Sequence, residues 1–420
     1  CPAKDRQNPE IKAINMMSRL EHVEEEKVNY DFFLNLPEID RSKLERIDIR
    51  TSQLITPLFE YSGACSGCGE TPYIKLLTQL YGDRMLIANA TGCSSIYGGN
   101  LPSTPYTTDA NGRGPAWANS LFEDNAEFGL GFRLTVDQHR ARVMRLLEQF
   151  AGQIPAGLND ALHADATPEV RREQVAELRQ ALQGVTGAEQ LLTDADALVE
   201  KSIWLIGGDG WAYDIGFGGL DHVLSLTENV NILVLDTQCY SNTGGQASKA
   251  TPLGAVTKFG EHGKRKARKD LGVSMMMYGH VYVAQISLGA QLNQTVKAIQ
   301  EAEAYPGPSL IIAYSPCEEH GYDLALSHDQ MRQLTATGFW PLYRFDPRRA
   351  DEGKLPLALD SRPPSDALAE TLMQEQRFRR LNAQQPEVAE QLWKDAAADL
   401  QKRYDFLAQL AGKAEKSIND

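Results

Sequence analysis

The chain has 420 residues, 42 basic and 56 acidic, for a net charge of −14. That balance argues against nucleic acid or an anionic lipid surface as the main partner, because both require a net basic face. Hydrophobic residues are 42% and charged residues 23% of the whole, a globular mixture rather than a disordered one.

No apolar run reaches the roughly 18 residues of a membrane helix. No secretory signal is present, so the expected location is cytoplasmic. The sequence opens on Cys1-Pro2 without Met and reads as a piece of a longer polypeptide. Residues 1–57 are polar and mixed, with an acidic run from Glu24 to Glu26 and a Pro-broken stretch from Phe33 to Pro57. They read as an arm over a neighbouring surface.

From residue 58 short apolar runs alternate with helical patterns. Met85–Ala88, Ser202–Ile206, Asn231–Leu235, Val281–Leu288 and Ser309–Ala313 have the continuous apolar character of strands buried on both faces of a parallel sheet. Thr71-Pro72 reads as an N-cap followed by Pro at the first helical position, opening a helix to about Leu80. Gln291–Ala304 is a second helix. The alternation predicts a doubly wound, mostly parallel α/β domain over residues 58–345. An Ala-, Glu-, Gln- and Arg-rich segment, about 134–200, interrupts it as a helical insertion. There Thr167-Pro168 starts a helix, Gly184 ends it, and Leu178 and Leu182 share one face. Residues 346–420 form a C-terminal helical extension that includes the linker Arg362-Pro363-Pro364. Its stripe of Val388, Leu392, Ala396, Leu400, Tyr404 and Leu407 suits a long helix packed on the body or on a partner chain.

Six cysteines are too few for a disulfide scaffold, but their spacing carries information. Cys65 and Cys68 form C-x-x-C in a glycine-rich loop. Cys93 follows the strand ending at Ala88, and Cys317 follows the strand ending at Ala313. Carboxyl ends of strands share one edge of a doubly wound sheet, so four thiolates can converge there. Such a set suits an iron–sulfur cluster or a structural zinc, and C-x-x-C alone also suits a redox pair. Cys239 reads as an ordinary buried thiol.

A second constellation follows the strand Ser202–Ile206, which runs into Gly207-Gly208-Asp209-Gly210-Trp211. It matches neither common nucleotide fingerprint. Asp209 at a strand end suits Mg²⁺, which prefers a carboxylate, phosphate oxygens and water. The next strand ends in Asp236-Thr237-Gln238-Cys239-Tyr240-Ser241-Asn242-Thr243-Gly244-Gly245-Gln246. The Thr237 hydroxyl and a carbonyl of this turn can complete a metal shell, and its amides and glycines can cradle a diphosphate.

The Gly-Asp-Gly turn and the ligand-bearing turn beyond it resemble the thiamine-diphosphate motif, with Thr237 where many such enzymes have Asn. The stretches Ala64–Tyr73, Thr91–Gly98, Gly114–Gly129, Tyr240–Gln246 and Ser315–Gly321 resemble the pyruvate:ferredoxin (flavodoxin) oxidoreductase family over nearly the whole chain. Cys1-Pro2 would then close a preceding ferredoxin domain. The resemblance implies a 4Fe–4S cluster on Cys65, Cys68, Cys93 and Cys317. It implies Mg²⁺ on Asp209, the Thr237 hydroxyl and the Cys239 carbonyl. Glu70, Cys93, Gly208, Asp209, Gly210, Trp211, Thr237, Gln238, Cys239, Tyr240, Ser241 and Asn242 would line thiamine diphosphate, with Asn242 catalytic. The implied reaction is oxidative decarboxylation of pyruvate with coenzyme A to acetyl-CoA and carbon dioxide, electrons passing to ferredoxin or flavodoxin. The resemblance also implies N-terminal domains of the same polypeptide and a homodimer. Since further catalytic parts of that family lie upstream, these 420 residues alone should be inactive. A related 2-oxoacid as substrate is the alternative within the family. A passive iron–sulfur or zinc module is the alternative outside it.

Other features are weaker. Lys264-Arg265-Lys266-Ala267-Arg268-Lys269 reads as a solvated helix face or as a docking patch. Met275-Met276-Met277 reads as packing. His320 is a candidate support for Cys317. The eight histidines show no metal spacing, and no serine-hydrolase elbow is present.

Overall fold

The computed structural model describes residues 5–12, 16–39, 44–99, 103–365 and 368–413, so the Cys1-Pro2 reading lies outside the described residues. Eight strands form one sheet: β1 (Met85–Asn89), β2 (Ala116–Asn119), β3 (Ser202–Gly208), β4 (Asn231–Asp236), β5 (Tyr282–Ile286), β6 (Ser309–Tyr314), β7 (Tyr343–Phe345) and β8 (Leu357–Leu359). Their order is β2-β1-β3-β4-β6-β5-β7-β8. The first six are mutually parallel, and β7 and β8 close one edge antiparallel. All five predicted strands are present. β2 was not among them, because Ala-Trp-Ala-Asn is too short and half-exposed to show an apolar run.

Each central strand is buried on both faces, which is why it reads as a continuous apolar run. Ile203, Leu205, Ile232, Val234, Leu310 and Ile312 face one core. Trp204, Ile206, Leu233, Leu235, Ile311 and Ala313 face the other. The first core is covered by helices Asn125–Phe150, Phe217–Ser225 and Ser327–Ala336. The second is covered by Thr71–Tyr81 and Leu292–Glu303. The molecule is thus a three-layer, mostly parallel α/β fold.

Three boundaries differ from expectation. The helix at Pro72 has Glu70 as its N-cap and Thr71 as its first residue, and no side chain caps it. The insertion begins inside a 26-residue helix, Asn125–Phe150, rather than at 134. Its first half packs on the sheet through Ala126. Its second half joins a separate core of Val143, Leu147, Leu162, Leu178, Leu182 and Leu198. One helix serving two cores gives no break signal at the junction. The third difference is β8, which adds a strand beyond residue 345. The cap at Thr167, with Pro168 beside it, and the left-handed Gly184 are as expected.

Before residue 58, helix Val23–Leu34 buries none of its residues. Ile49–Ser52 is a single turn closed by a reciprocal cap between Asp48 and Thr51. At the other end, helix Pro386–Leu410 lies on the body, with Leu392, Tyr404 and Leu407 buried. Arg403 ties it down, donating to Asp270 (2.6 Å) and to the Gln285 amide oxygen (3.1 Å). Of the methionine triplet, Met275 and Met276 are buried and Met277 is exposed.

Candidate functional site

β1 has β2 on one side and β3 on the other, so the winding reverses between β1 and β3. A ligand crevice is expected outside the carboxyl ends of the strands at such a reversal. Two adjoining cavities lie there. The first, about 50 Å³, is lined by Glu70, Thr91–Ser94, Phe122, Gly208–Trp211, Thr237 and Cys239–Thr243. The second, about 140 Å³, is lined by Cys65, Cys68, Cys93 and Cys317 together with Glu70, Tyr97, Thr237, Ser241, Asn242 and Glu318. Glu70, Cys93, Thr237, Ser241 and Asn242 form the wall between them.

In the first cavity Asp209 is fully buried. Its Oδ1 accepts from the Thr237 hydroxyl at 3.0 Å and its Oδ2 from the Ser248 hydroxyl at 2.5 Å. The Thr237 hydroxyl also reaches the Cys239 carbonyl at 3.1 Å. An octahedron with metal–oxygen distances of about 2.1 Å has ligand edges of about 3.0 Å. The Thr237 hydroxyl therefore stands one such edge from Asp209 and one from the Cys239 carbonyl. All three are hard oxygen donors, which fits the ion. Burial, reinforced by the neighbouring Asp236 carboxylate, pushes Asp209 well above the usual carboxylate range, while Ser248 and Thr237 act against the shift. A bound cation would reverse that logic and hold the carboxylate ionised.

The surroundings also fit a diphosphate cofactor. The Trp211 ring is held where a Cβ on Gly207 or Gly216 would come within 2.5 or 2.2 Å of it. Its buried indole N–H has no acceptor among the described residues. Gly210 lies under the Tyr240 ring, where a Cβ would be 2.5 Å away. Gln238 is the one predicted residue that does not line the cavity. It is buried with φ +63°, and its amide oxygen accepts from Arg377 at 2.7 Å. Phe122 and Ser248 were not singled out from the sequence: Phe122 lies in the Gly114–Gly129 stretch but carries no ligand chemistry, and Ser248 comes from a loop without a motif of its own.

The basic run is a loop rather than a helix, with Lys264, Arg268 and Lys269 part-buried. Arg268 donates to Asp236 at 2.8 Å and to the Tyr213 hydroxyl at 2.7 Å. Lys264 donates to the carbonyls of Ser248 (3.0 Å), Lys249 (3.3 Å) and Thr251 (2.6 Å). The positive charge is there to match the buried Asp236. Arg265 and Lys266 remain exposed.

In the second cavity the C-x-x-C loop is pinned to the Cys317 turn. Gly69 N–H donates to the Pro316 carbonyl at 2.9 Å. A Cβ on Gly69 would stand 2.3 Å from the Pro316 ring and nitrogen. Gly69→Ala should therefore part Cys68 from Cys317 and lose metal while the sheet stays folded. Iron content beside a circular dichroism spectrum checks this, and a fully metallated variant would sink it. Burial pushes the Cys68 thiol up to about 12, with the Glu70 charge adding to it, and moves Cys65 and Cys93 the same way. Loading a metal here must release protons. Among the described residues no three Cys, His, Asp or Glu side chains come together as a single-ion site.

Glu70 is buried between the cavities and accepts from the Tyr97 hydroxyl at 2.9 Å. Burial pushes it up to about 8; Tyr97 partly offsets the shift and Cys317 reinforces it. In the metal-free protein the folded state then keeps a proton that the unfolded state loses above the ordinary Glu range. Stability should therefore fall as pH rises from about 4.5 to 8, by no more than about 1.4 kcal/mol per unit. Glu70→Gln should flatten this slope in thermal melts. An unchanged slope would show that Glu70 is ionised throughout.

His320 is buried, and its Nε2–H donates to the Thr237 carbonyl at 2.7 Å. Burial, with Arg377 nearby, keeps the ring neutral by pushing its pKa well below the ordinary value. It thus links the Cys317 turn to the Thr237 turn.

Residues 176–313 match the family described as thiamine pyrophosphate enzyme, C-terminal TPP binding domain. Asp209, Thr237 and Asn242 fall inside the match; all four cavity cysteines fall outside it. Residues 176–313 are therefore similar to a thiamine-diphosphate-binding domain. Over all 420 residues it is 93% identical to the probable pyruvate-flavodoxin oxidoreductase of Escherichia coli, covering 36% of that protein. It is 54% identical to the putative pyruvate-flavodoxin oxidoreductase of Synechocystis, over 97% of this chain and 35% of that one. It is 48% identical to the pyruvate:ferredoxin oxidoreductase of Moorella thermoacetica, over 98% of this chain and 36% of that one. The chain spans about a third of the length of these relatives. Among the described residues no helix is long and apolar enough to cross a membrane.

Proposed function

We propose that this chain is the part of a pyruvate-flavodoxin oxidoreductase that holds thiamine diphosphate, its Mg²⁺ and one 4Fe–4S cluster. The observation that carries the reading is the shared wall: the four-cysteine cavity and the Asp209–Thr237 cavity meet at Glu70, Cys93, Thr237, Ser241 and Asn242. A passive electron carrier has no use for the oxygen-donor site, and a non-redox decarboxylase has no use for the cysteines.

Bound thiamine diphosphate supplies an electron sink for loss of carbon dioxide from a 2-oxoacid, and a cluster beside it supplies a one-electron acceptor. The chain's own residues would do the rest. Asp209, the Thr237 hydroxyl and the Cys239 carbonyl would hold Mg²⁺, and Ser248 would orient Asp209. Gly208 and Gly210 would leave room for the diphosphate, while Trp211 and Phe122 keep water away. Asn242 lines both cavities and would be the catalytic residue, its amide N–H groups donating where negative charge develops. In the whole enzyme, taken as a cytoplasmic homodimer, pyruvate and coenzyme A would give acetyl-CoA and carbon dioxide. Flavodoxin or ferredoxin would receive the electrons, and the other two-thirds of the polypeptide would complete the active site.

The test is Cys317→Ser in the full-length polypeptide, purified anaerobically. It should lose about four irons per chain and one paramagnetic signal after dithionite reduction. Unchanged iron, or one zinc in place of the missing iron in the wild type, would sink the redox reading.

A further inference from the structure

Cys239 enters the site through its carbonyl, yet its thiol is also placed for chemistry. β4 and β6 are parallel neighbours with Asp236 opposite Tyr314, and Ser315 N–H continues the ladder to the Asp236 carbonyl at 3.0 Å. Cys239 and Cys317 each lie three residues beyond that pair, in the turns that leave adjacent strand ends. Adjacent strands run about 4.8 Å apart, inside the roughly 4.4–6.8 Å between Cα atoms that a disulfide requires. The His320 bond to the Thr237 carbonyl holds the two turns together. Cys239 holds the Cys317 thiol down to about 7 and is itself raised by it, so the two thiols are neighbours. The Ser241 hydroxyl lies 3.8 Å from the Cys239 sulfur. Both cysteines are free. Cys65, Cys68 and Cys93 face Cys317 across the larger cavity, whereas Cys239 meets it from the other side of the wall.

We propose that Cys239 and Cys317 join as a disulfide when the cysteine site is empty and dioxygen is present. Each thiol gives up one proton and one electron as the sulfur–sulfur bond forms. Dioxygen takes both protons and both electrons and leaves as hydrogen peroxide. The bond removes Cys317 from the four-thiolate set and pins the turn whose carbonyl faces the metal oxygens. Reloading then waits for a thiol reductant. That consequence rests on the function proposed above; the bond itself does not.

The test uses the full-length polypeptide, treated with an iron chelator under argon, freed of reductant and exposed to air. Free thiols are alkylated in denaturant, and a non-reducing digest is mapped by mass spectrometry. The expected result is a peptide pair joined through Cys239 and Cys317, released by dithiothreitol. Recovery of Cys239 in alkylated form, or of Cys317 joined to Cys65, Cys68 or Cys93, overturns the proposal. Absence of iron from the polypeptide as purified would count against the cluster while leaving the peptide map readable, so the two failures are distinguishable.

Discussion

Asp209→Asn should weaken thiamine diphosphate and Mg²⁺ binding by about 100-fold or more, while making the cofactor-free protein more stable. The two effects have opposite signs for one reason. Asp209 is fully buried beside a second buried carboxylate, Asp236, whose positive partner is Arg268. Without a cation, the Asp209 charge is set against its own desolvation and against Asp236. A neutral amide of the same shape removes that penalty and still accepts from Thr237, a gain of about 1–3 kcal/mol. With a cation present the same charge is the strongest ligand of the oxygen set, and an amide oxygen replaces it poorly. Calorimetric titration with thiamine diphosphate and Mg²⁺, beside chemical denaturation without them, measures both. Wild-type affinity in the variant would take Asp209 out of the metal set. A loss of stability would mean that the Ser248 and Thr237 bonds outweigh the buried charge.

Arg377→Met should cost about 3–5 kcal/mol, the usual penalty for leaving one partner of a buried ion pair alone. Arg377 donates to Glu375 at 2.6 Å and to the Gln238 amide at 2.7 Å, and both charged side chains are at most 5% exposed. The Gln330 amide supports Glu375 from the other side at 2.9 Å. Gln238 occupies a left-handed backbone position between Thr237 and Cys239, the two residues proposed to face Mg²⁺, and its carbonyl accepts from Thr251 at 2.7 Å. Loss of Arg377 therefore loosens the metal turn as well as the fold. The double change Arg377→Met with Glu375→Gln should recover most of the stability, since no unpaired charge remains. Denaturation midpoints of the single and double variants decide the matter. Equal losses in both would show that packing of the Arg377 side chain, rather than its charge, holds this joint.

Much of the fold was legible because parallel-sheet strands buried on both faces must be apolar throughout. Ile203–Ile206 and Ile232–Leu235 have no other use for such runs. β2 was not legible because it is an edge strand with half-exposed side chains. The start of the insertion was not legible because one helix crosses two cores, and its apolar stripe never stops. The basic run was misread because charge alone does not distinguish a solvated lysine from Arg268, whose partner Asp236 lies 32 residues away in sequence.

The site divides in the same way. Its residue types were legible in the sequence: a C-x-x-C loop, two further cysteines after strands, and an aspartate and a threonine at consecutive strand ends. These are local, because each residue type announces what it can bind. Only the tertiary structure decided what meets what. The strand order placed the reversal between β1 and β3, so that Cys93 and Asp209 share one crevice. Glu70 came to lie buried between the two cavities, Ser248 came in to hold Asp209, and Arg377 reached Gln238 from 139 residues away. Contacts of that range depend on how the strands are ordered in the sheet, which no local pattern of residues encodes.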